Sequence, residues 1–135
     1  MRATPFTYAK KRVKTCTMDY PIELAMQKFA QDNMGSLVVV DADENIVGLL
    51  TDQVIFKALA EGKTLQGLTV GQLVLEPVVK VAHAADIEYV AEKFRENPSG
   101  RIVMVDGSDR IVGILKRKNI ERFGHYDAAK RMLGR

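Results

Sequence analysis

The chain has no tryptophan and one cysteine, and aromatic residues make up 7% of its 135 positions. A lone thiol, Cys16, cannot close an internal disulfide, so a disulfide-stapled secreted scaffold is excluded. Two histidines and that one cysteine give no cluster with zinc-ligand spacing. No apolar run approaches the ~20 residues of a membrane-spanning helix, and the opening MRATPFTYAKK lacks the apolar stretch of a signal peptide. So few aromatics leave little material for base-stacking segments, which argues against a binder of single-stranded nucleic acid. No nucleophile, base and orienting group form a recognisable set, so catalysis is not expected. These absences together predict a soluble, cytoplasmic protein that is neither an enzyme nor a metalloprotein.

Hydrophobic residues make up 47% of the chain and charged residues 27%, the balance of an ordinary globular protein. A chain of this length buries roughly 65–70% of its unfolded surface, enough for a real core. The net charge of +3 is unevenly spread. Residues 1–14 carry five basic and no acidic side chains, and residues 116–135 carry seven basic and two acidic ones. The stretch between them holds eight basic against fifteen acidic groups. Basic ends of this kind attract phosphate or nucleic acid, or are simply solvated termini.

The strongest signal is an internal repeat. Leu37–Leu50 reads LVVVDADENIVGLL and Ile102–Leu115 reads IVMVDGSDRIVGIL, a displacement of 65 residues. The same displacement, without a gap from Arg12 to Ile55, superposes Ile22 on Ile87, Phe29 on Phe94, Gly35 on Gly100, Val38 on Val103 and Asp41 on Asp106. Two unrelated hairpins would not bring the preceding helix residues into line as well, so each half is one copy of a single unit.

Within the first copy, Val13–Cys16 reads as a short strand, followed by Thr17 or Asp19 as a helix cap and Pro21 in the first turn. Ile22, Ala25, Met26, Phe29 and Ala30 form an apolar helix face, and Gly35 offers a left-handed stop. Strand Leu37–Val40, a turn from Asp41 to Asn45 and strand Ile46–Leu50 follow. Their near-continuous apolar character predicts a sheet covered on both faces. Thr51 is a natural cap for a helix with Val54, Ile55, Ala58 and Leu59 on its apolar face, stopped at Gly62. After a polar link the cycle recurs: a helical turn Val70–Leu75, strand Pro77–Val81, a helix from Asp86 with Ile87, Val90, Ala91 and Phe94 inside, two strands, and a helix from Arg117. The expected division is a first repeat over 1–62, a linker over 63–69, a second repeat over 70–123 and a basic tail over 124–135.

This pattern resembles the cystathionine β-synthase (CBS) domain, and the pair resembles a tandem CBS, or Bateman, module. The resemblance is carried by the strands ending in Val40-Asp41 and Val105-Asp106, and by Ile46-Val47-Gly48-Leu49-Leu50-Thr51 and Ile111-Val112-Gly113-Ile114-Leu115-Lys116. It spans about residues 5–60 and 70–123, which leaves no room for a catalytic domain. It implies an α+β fold of two repeats related by a pseudo-two-fold axis, each a small sheet packed with two helices. It further implies adenosine-containing ligands, such as AMP, ADP, ATP or S-adenosylmethionine, in clefts between the halves. A homodimer packed through helices, a regulated protein partner and no cofactor chemistry complete what it implies.

In that family a motif Gly-apolar-apolar-Thr/Ser-x-x-Asp meets the ligand, with Thr/Ser near phosphate at a helix start and Asp on the ribose hydroxyls. Helix N-termini suit phosphate because their N–H groups are free and the dipole is positive there. Thr-x-x-Asp also approaches a capping box, so part of the motif serves the helix itself. This chain departs from the motif in both copies. Gly48 to Thr51 fits, but Val54 stands at the Asp position and cannot accept a hydrogen bond. In the second copy Lys116 replaces Thr/Ser, and Asn119 replaces Asp as a weaker, neutral partner. Lys116, Arg117 and Lys118 crowd three cations at a helix start against its dipole, which is readily understood if an anion sits there and otherwise describes a solvated face. Arg101 matches a position that reaches phosphate in the family; its counterpart is Ser36.

The expected ligand residues are therefore Arg101, Lys116, Arg117 and Asn119 in the second copy, with Thr51 and Val54 at the first. His83 either lines an adenine site or sits in solvent, and His125 lies in the basic tail. Asp43, Glu44, Ser108 and Asp109 are turn residues. The function so read is a non-catalytic regulator sensing an adenine nucleotide. The rivals are a ligand-free dimerisation or interaction module, a sensor of an S-adenosylmethionine-type ligand and, last, a nucleic-acid-associated protein.

Overall fold

The strands and α-helices follow one another in the order of the repeat: β1 (Thr15–Thr17), α1 (Ile22–Gln31), β2 (Ser36–Val40), β3 (Ile46–Thr51), α2 (Asp52–Ala60), β4 (Lys80–Ala82), α3 (Ile87–Glu96), β5 (Arg101–Val105) and β6 (Ile111–Lys116). They belong to a computed structural model that describes residues 4–32, 34–97 and 100–121; residues 117–121 are helical. The expected apolar spacing beyond Glu121, and His125, lie outside the described residues.

Each copy builds a three-stranded mixed sheet with the same order, β1-β2-β3 and β4-β5-β6. β1 runs parallel to β2 with Cys16 opposite Val39, and β4 runs parallel to β5 with Val81 opposite Met104. The hairpins are antiparallel with equivalent registers, Ser36 opposite Thr51 and Arg101 opposite Lys116. Both are irregular at equivalent points, after Val39 and after Met104. The α+β class and the repeat are thereby established.

The sheets are buried on both faces, as the apolar strands predict. Leu37, Val39 and Leu50 join a core with Ile22, Ala25, Val54, Ile55 and Ala58. Val38 and Leu49, which point the other way along the same strands, are buried too. In the second sheet Ile102, Met104 and Leu115 pack with Val90, Phe94 and Ile120, while Val103 and Ile114 fill the opposite face. The helix faces are narrower than their spacing suggests: Met26 and Ala30 of α1 are exposed, as is Leu59 of α2.

Turn chemistry follows the sequence. Asp41 Oδ1 accepts from the N–H groups of Asp43 and Asn45, and Asp106 Oδ1 from those of Ser108 and Arg110. Glu44 and Asp109 take the left-handed position of the two turns, with φ of 64° and 62°. Thr51 caps α2 by accepting from the Val54 N–H, and Asp86 caps α3 by accepting from the Tyr89 N–H.

Several local expectations are corrected. The first strand lies at Thr15–Thr17 and the fourth at Lys80–Ala82, each later than the apolar runs suggest, because pairing with β2 and β5 sets their limits. α1 is capped by neither Thr17 nor Asp19, whose side chains bond to each other. Pro21 is its N-cap residue, and the Ile22 N–H donates instead to the Leu68 carbonyl at 2.9 Å. Gly35 is not left-handed; Gly62 and Gly67 are the described glycines with positive φ. Only Val70–Gln72 of the expected helical turn Val70–Leu75 is helical, and of 3₁₀ type.

Division by compactness differs from division by repeat. Residues 14–78 form one unit, while the residues before 14 join those from 79 onward in the other. In the first unit Glu76 pairs antiparallel with Leu49, exchanging N–H···O bonds of 2.9 and 3.0 Å. In the second, Lys10 pairs with Ile114 through bonds of 2.9 and 3.0 Å. Each sheet thus receives a fourth segment supplied by the chain that precedes the other copy.

Candidate ligand-binding site

The expected ligand residues gather at the open ends of the two hairpins, where the last strand passes into a helix. In the second unit, Arg101 at the start of β5 stands opposite Lys116 at the end of β6, so both side chains rise from one face of the sheet. Both are half-buried. Lys10 lies opposite Ile114 on the crossing segment, and the two-residue alternation of the strand puts Lys116 on the same face as Ile114. Three cationic positions, Lys10, Arg101 and Lys116, therefore share one side of the sheet edge. Asn119 is half-buried in the first turn of the helix that follows.

Arg117 does not join this set. Its backbone N–H donates to the Gly100 carbonyl at 2.8 Å. One guanidinium nitrogen, Nη2, donates to the carbonyls of Phe94 and Asn97 at 3.1 and 2.9 Å. The guanidinium carbon lies 5.6 Å from the centre of the Phe94 ring. Arg117 is expected from the sequence to face a phosphate; its Nη2 lies instead against the end of α3. The last carbonyls of a helix lack the regular N–H partners of its interior and lie at its negative end, so an arginine within reach is drawn to them; the Phe94 carbonyl also accepts from the Asn97 N–H at 3.4 Å.

In the first unit the equivalent corner is built differently. Ser36 stands opposite Thr51 where the second unit has Arg101 opposite Lys116. Thr51 is completely buried, and its hydroxyl is engaged twice. It accepts from the Val54 N–H at 3.2 Å and donates to Glu76 Oε1 at 3.0 Å. Val54, at the ribose-acceptor position, is a buried core residue against Leu37 and Leu50.

Glu76 and Lys10 were not legible as site residues. A displacement of 65 sets Glu76 on Lys11, whereas the strand pairings make Glu76 the counterpart of Lys10, one position off. Lys11 has another role. Its ammonium donates to the carbonyls of Phe6, Thr7 and Ala9 at 2.6, 3.0 and 3.0 Å and lies 4.7 Å from the Phe6 ring centre.

His83 is half-buried, with Nδ1 3.2 Å from the Val105 carbonyl oxygen and its ring edge-on to Phe6, centres 5.3 Å apart. No helix among the described residues is long and apolar enough to cross a membrane.

Comparison with known proteins places these features in a family. The CBS domain description matches residues 7–61 and again residues 70–125. A conserved CBS domain protein of unknown function from Thermoplasma acidophilum, TA0289, superposes with a TM-score of 0.78 at 26% identity, over 91% of this chain and 70% of that one. The CBS domain pair of protein MJ0100, solved with 5-methylthioadenosine and S-adenosyl-L-methionine, gives 0.75 at 25% identity, over 90% and 98% of the two chains. An arabinose 5-phosphate isomerase of Pseudomonas aeruginosa is 31% identical over 101 residues, which are 74% of this chain and 31% of that protein. This chain spans 56% of a Methanopyrus kandleri relative and 22% of a Methanococcus vannielii one, so the matched part is a fraction of those proteins. With a domain description covering both copies and the same two-sheet architecture in its structural neighbours, the chain belongs to the CBS domain family, as a tandem pair.

Proposed function

We propose that this CBS pair is a non-catalytic cytoplasmic regulator that senses an adenosine-containing ligand, an adenine nucleotide (AMP, ADP or ATP) by preference, and passes a conformational change to a protein partner. The observation that carries the reading is the cationic edge of the second unit, where Arg101 opposes Lys116 and Lys10 shares their face. Phosphate oxygens accept charge-assisted hydrogen bonds from such groups, each stabilising by about 1.5–3 kcal/mol. Asn119, one turn into the following helix, offers both a donor and an acceptor to ribose hydroxyls. The MJ0100 pair, solved with two adenosine compounds, supports the ligand class.

Titration calorimetry with AMP, ADP, ATP and S-adenosylmethionine tests the proposal. Nucleotide binding weakened about tenfold or more by Arg101→Ala and Lys116→Ala, and less by Asn119→Ala, is the expected result. Unchanged affinity in all three variants removes the assignment.

The corner of the first unit favours a second reading, a pair that acts through association without a ligand, because Thr51 is already engaged and Val54 lacks an acceptor. Binding of no adenine compound at millimolar concentration selects it. Under either reading the chain works as a homodimer, supported by the exposed apolar side chains Phe56 and Leu59 on α2 and Tyr89 on α3. Light scattering that shows a strict monomer overturns that part.

A further inference from the structure

We propose that Glu76 is a specificity residue that bars phosphate from the first unit, so that each chain carries one nucleotide, in the second unit, rather than two. The inference rests on the nucleotide reading above and extends it to the other copy. Its basis is a reversal of charge at one position of the fold. The segment crossing β3 places Glu76 opposite Leu49, and the segment crossing β6 places Lys10 opposite Ile114, its counterpart 65 residues on. Two residues along each strand stand Thr51 and Lys116. The same corner is therefore Glu76 with Thr51 and Ser36 in one unit, and Lys10 with Lys116 and Arg101 in the other.

In the first unit the carboxylate occupies the place an anion would need. Glu76 Oε1 accepts a hydrogen bond from the Thr51 hydroxyl at 3.0 Å, and the same hydroxyl oxygen accepts from the Val54 N–H to cap α2. A phosphate approaching Thr51 meets a fixed negative charge and a hydroxyl with no proton left to give. Like charges at such range disfavour the bound anion, and where the second unit has Arg101 and Lys116 this corner has the uncharged Ser36 and Thr51. The helix start is satisfied from within the chain, its carboxylate at the favourable end of the dipole.

The test counts AMP sites by calorimetry in the parent, Glu76→Gln, Glu76→Lys and each of these combined with Lys116→Ala. Glutamine keeps an acceptor oxygen for Thr51 and removes only the charge. Lysine copies Lys10. Circular dichroism and melting temperature establish that the variants fold. The expected result is one AMP per chain in the parent, abolished or weakened about tenfold by Lys116→Ala, and a second site in the Glu76 variants that survives Lys116→Ala. Two equivalent sites in the parent, or a single site in folded Glu76→Lys, overturn the proposal. If the parent binds no AMP, the nucleotide reading falls by itself: one site gained in Glu76→Lys then still supports the role of Glu76, and none gained removes both.

Discussion

Gly48 lies so close to Leu75 that a methyl group added to the glycine would sit 2.8 Å from the Leu75 Cβ and 2.9 Å from its Cδ1. The strand has to be bare at this point because the segment ending in Glu76 crosses it there. Gly113 plays the same part in the second unit, where an added Cβ would meet Phe6 Cε1 at 3.1 Å and the Ala9 Cβ at 3.2 Å. Overpacking a well-filled site costs about 1–3 kcal/mol, and Gly48→Ala should fall in that range by denaturant unfolding. Gly113→Ala should cost less, since its neighbours need to yield only a few tenths of an ångström. Gly107, with nothing within 4 Å of an added Cβ, is the control, and its alanine variant should stay within about 0.5 kcal/mol of the parent.

The repeat made most of the fold legible. Near-continuous apolar runs on either side of an Asp turn placed the hairpins, apolar spacing near 3.6 residues placed the helices, and Asp41, Asp106, Thr51 and Asp86 act as their residue types predict. What stayed hidden was non-local. Nothing near Ile22 announces that its N–H is met by Leu68, and nothing near Lys10 announces that it pairs with Ile114. The Val-Gly pattern within Ile46–Thr51 and Ile111–Lys116 reads as a family signature in sequence and acquires its reason only when the crossing segments are seen. The bonds of Arg117 to the end of α3 were hidden for a related reason, since a run of three cations gives no sign that one of them turns back onto that helix.

The two turn aspartates give the protein an acid limb with a defined sign. N–H donation, first from Asn45, holds the Asp41 carboxyl below its ordinary value of 3.8, and donation from Arg110 and then Ser108 does the same for Asp106. A carboxyl whose folded pKa is depressed binds its proton more weakly folded than unfolded. Its contribution is therefore present above 3.8 and is lost as pH falls through the depressed folded value. Asp41→Asn and Asp106→Asn, which keep an acceptor oxygen, should flatten the loss of stability below about pH 4. Urea midpoints measured from pH 6 to pH 2 check this, and acid limbs of unchanged steepness in both variants would count against it.

Cys16 should be inert in the native protein. Burial among the residues that cover β1 pushes its thiol from 9.0 up to about 11, an effect Lys28 only partly opposes. A thiol raised from 9.0 to about 11 keeps roughly a hundredth of the usual thiolate, and the thiolate is the reacting species. A chromogenic disulfide reagent at pH 8 should label the folded chain about a hundredfold more slowly than the chain in denaturant. Equal rates would mean that the first unit opens freely in solution.

Arg117 should be a stability residue rather than an affinity residue. Its guanidinium holds two carbonyls at the end of α3, at 2.9 and 3.1 Å, and lies over the Phe94 ring. Phe94 is itself a core residue of the second unit, so the contact ties the start of the last helix to the end of α3. Hydrogen bonds from a charged donor contribute about 1.5–3 kcal/mol, and Arg117→Ala should lose about that much in denaturant unfolding. Arg117→Lys should recover only part of the loss, because a compact, strongly hydrated ammonium does not reproduce the contact of the planar guanidinium with the Phe94 ring. AMP affinity measured in the same variants under strongly stabilising conditions should change little beside the effect of Lys116→Ala. The opposite pattern, near-parental stability with affinity reduced about tenfold, would return Arg117 to the phosphate and mean that its bond to Phe94 is exchanged for the ligand on binding.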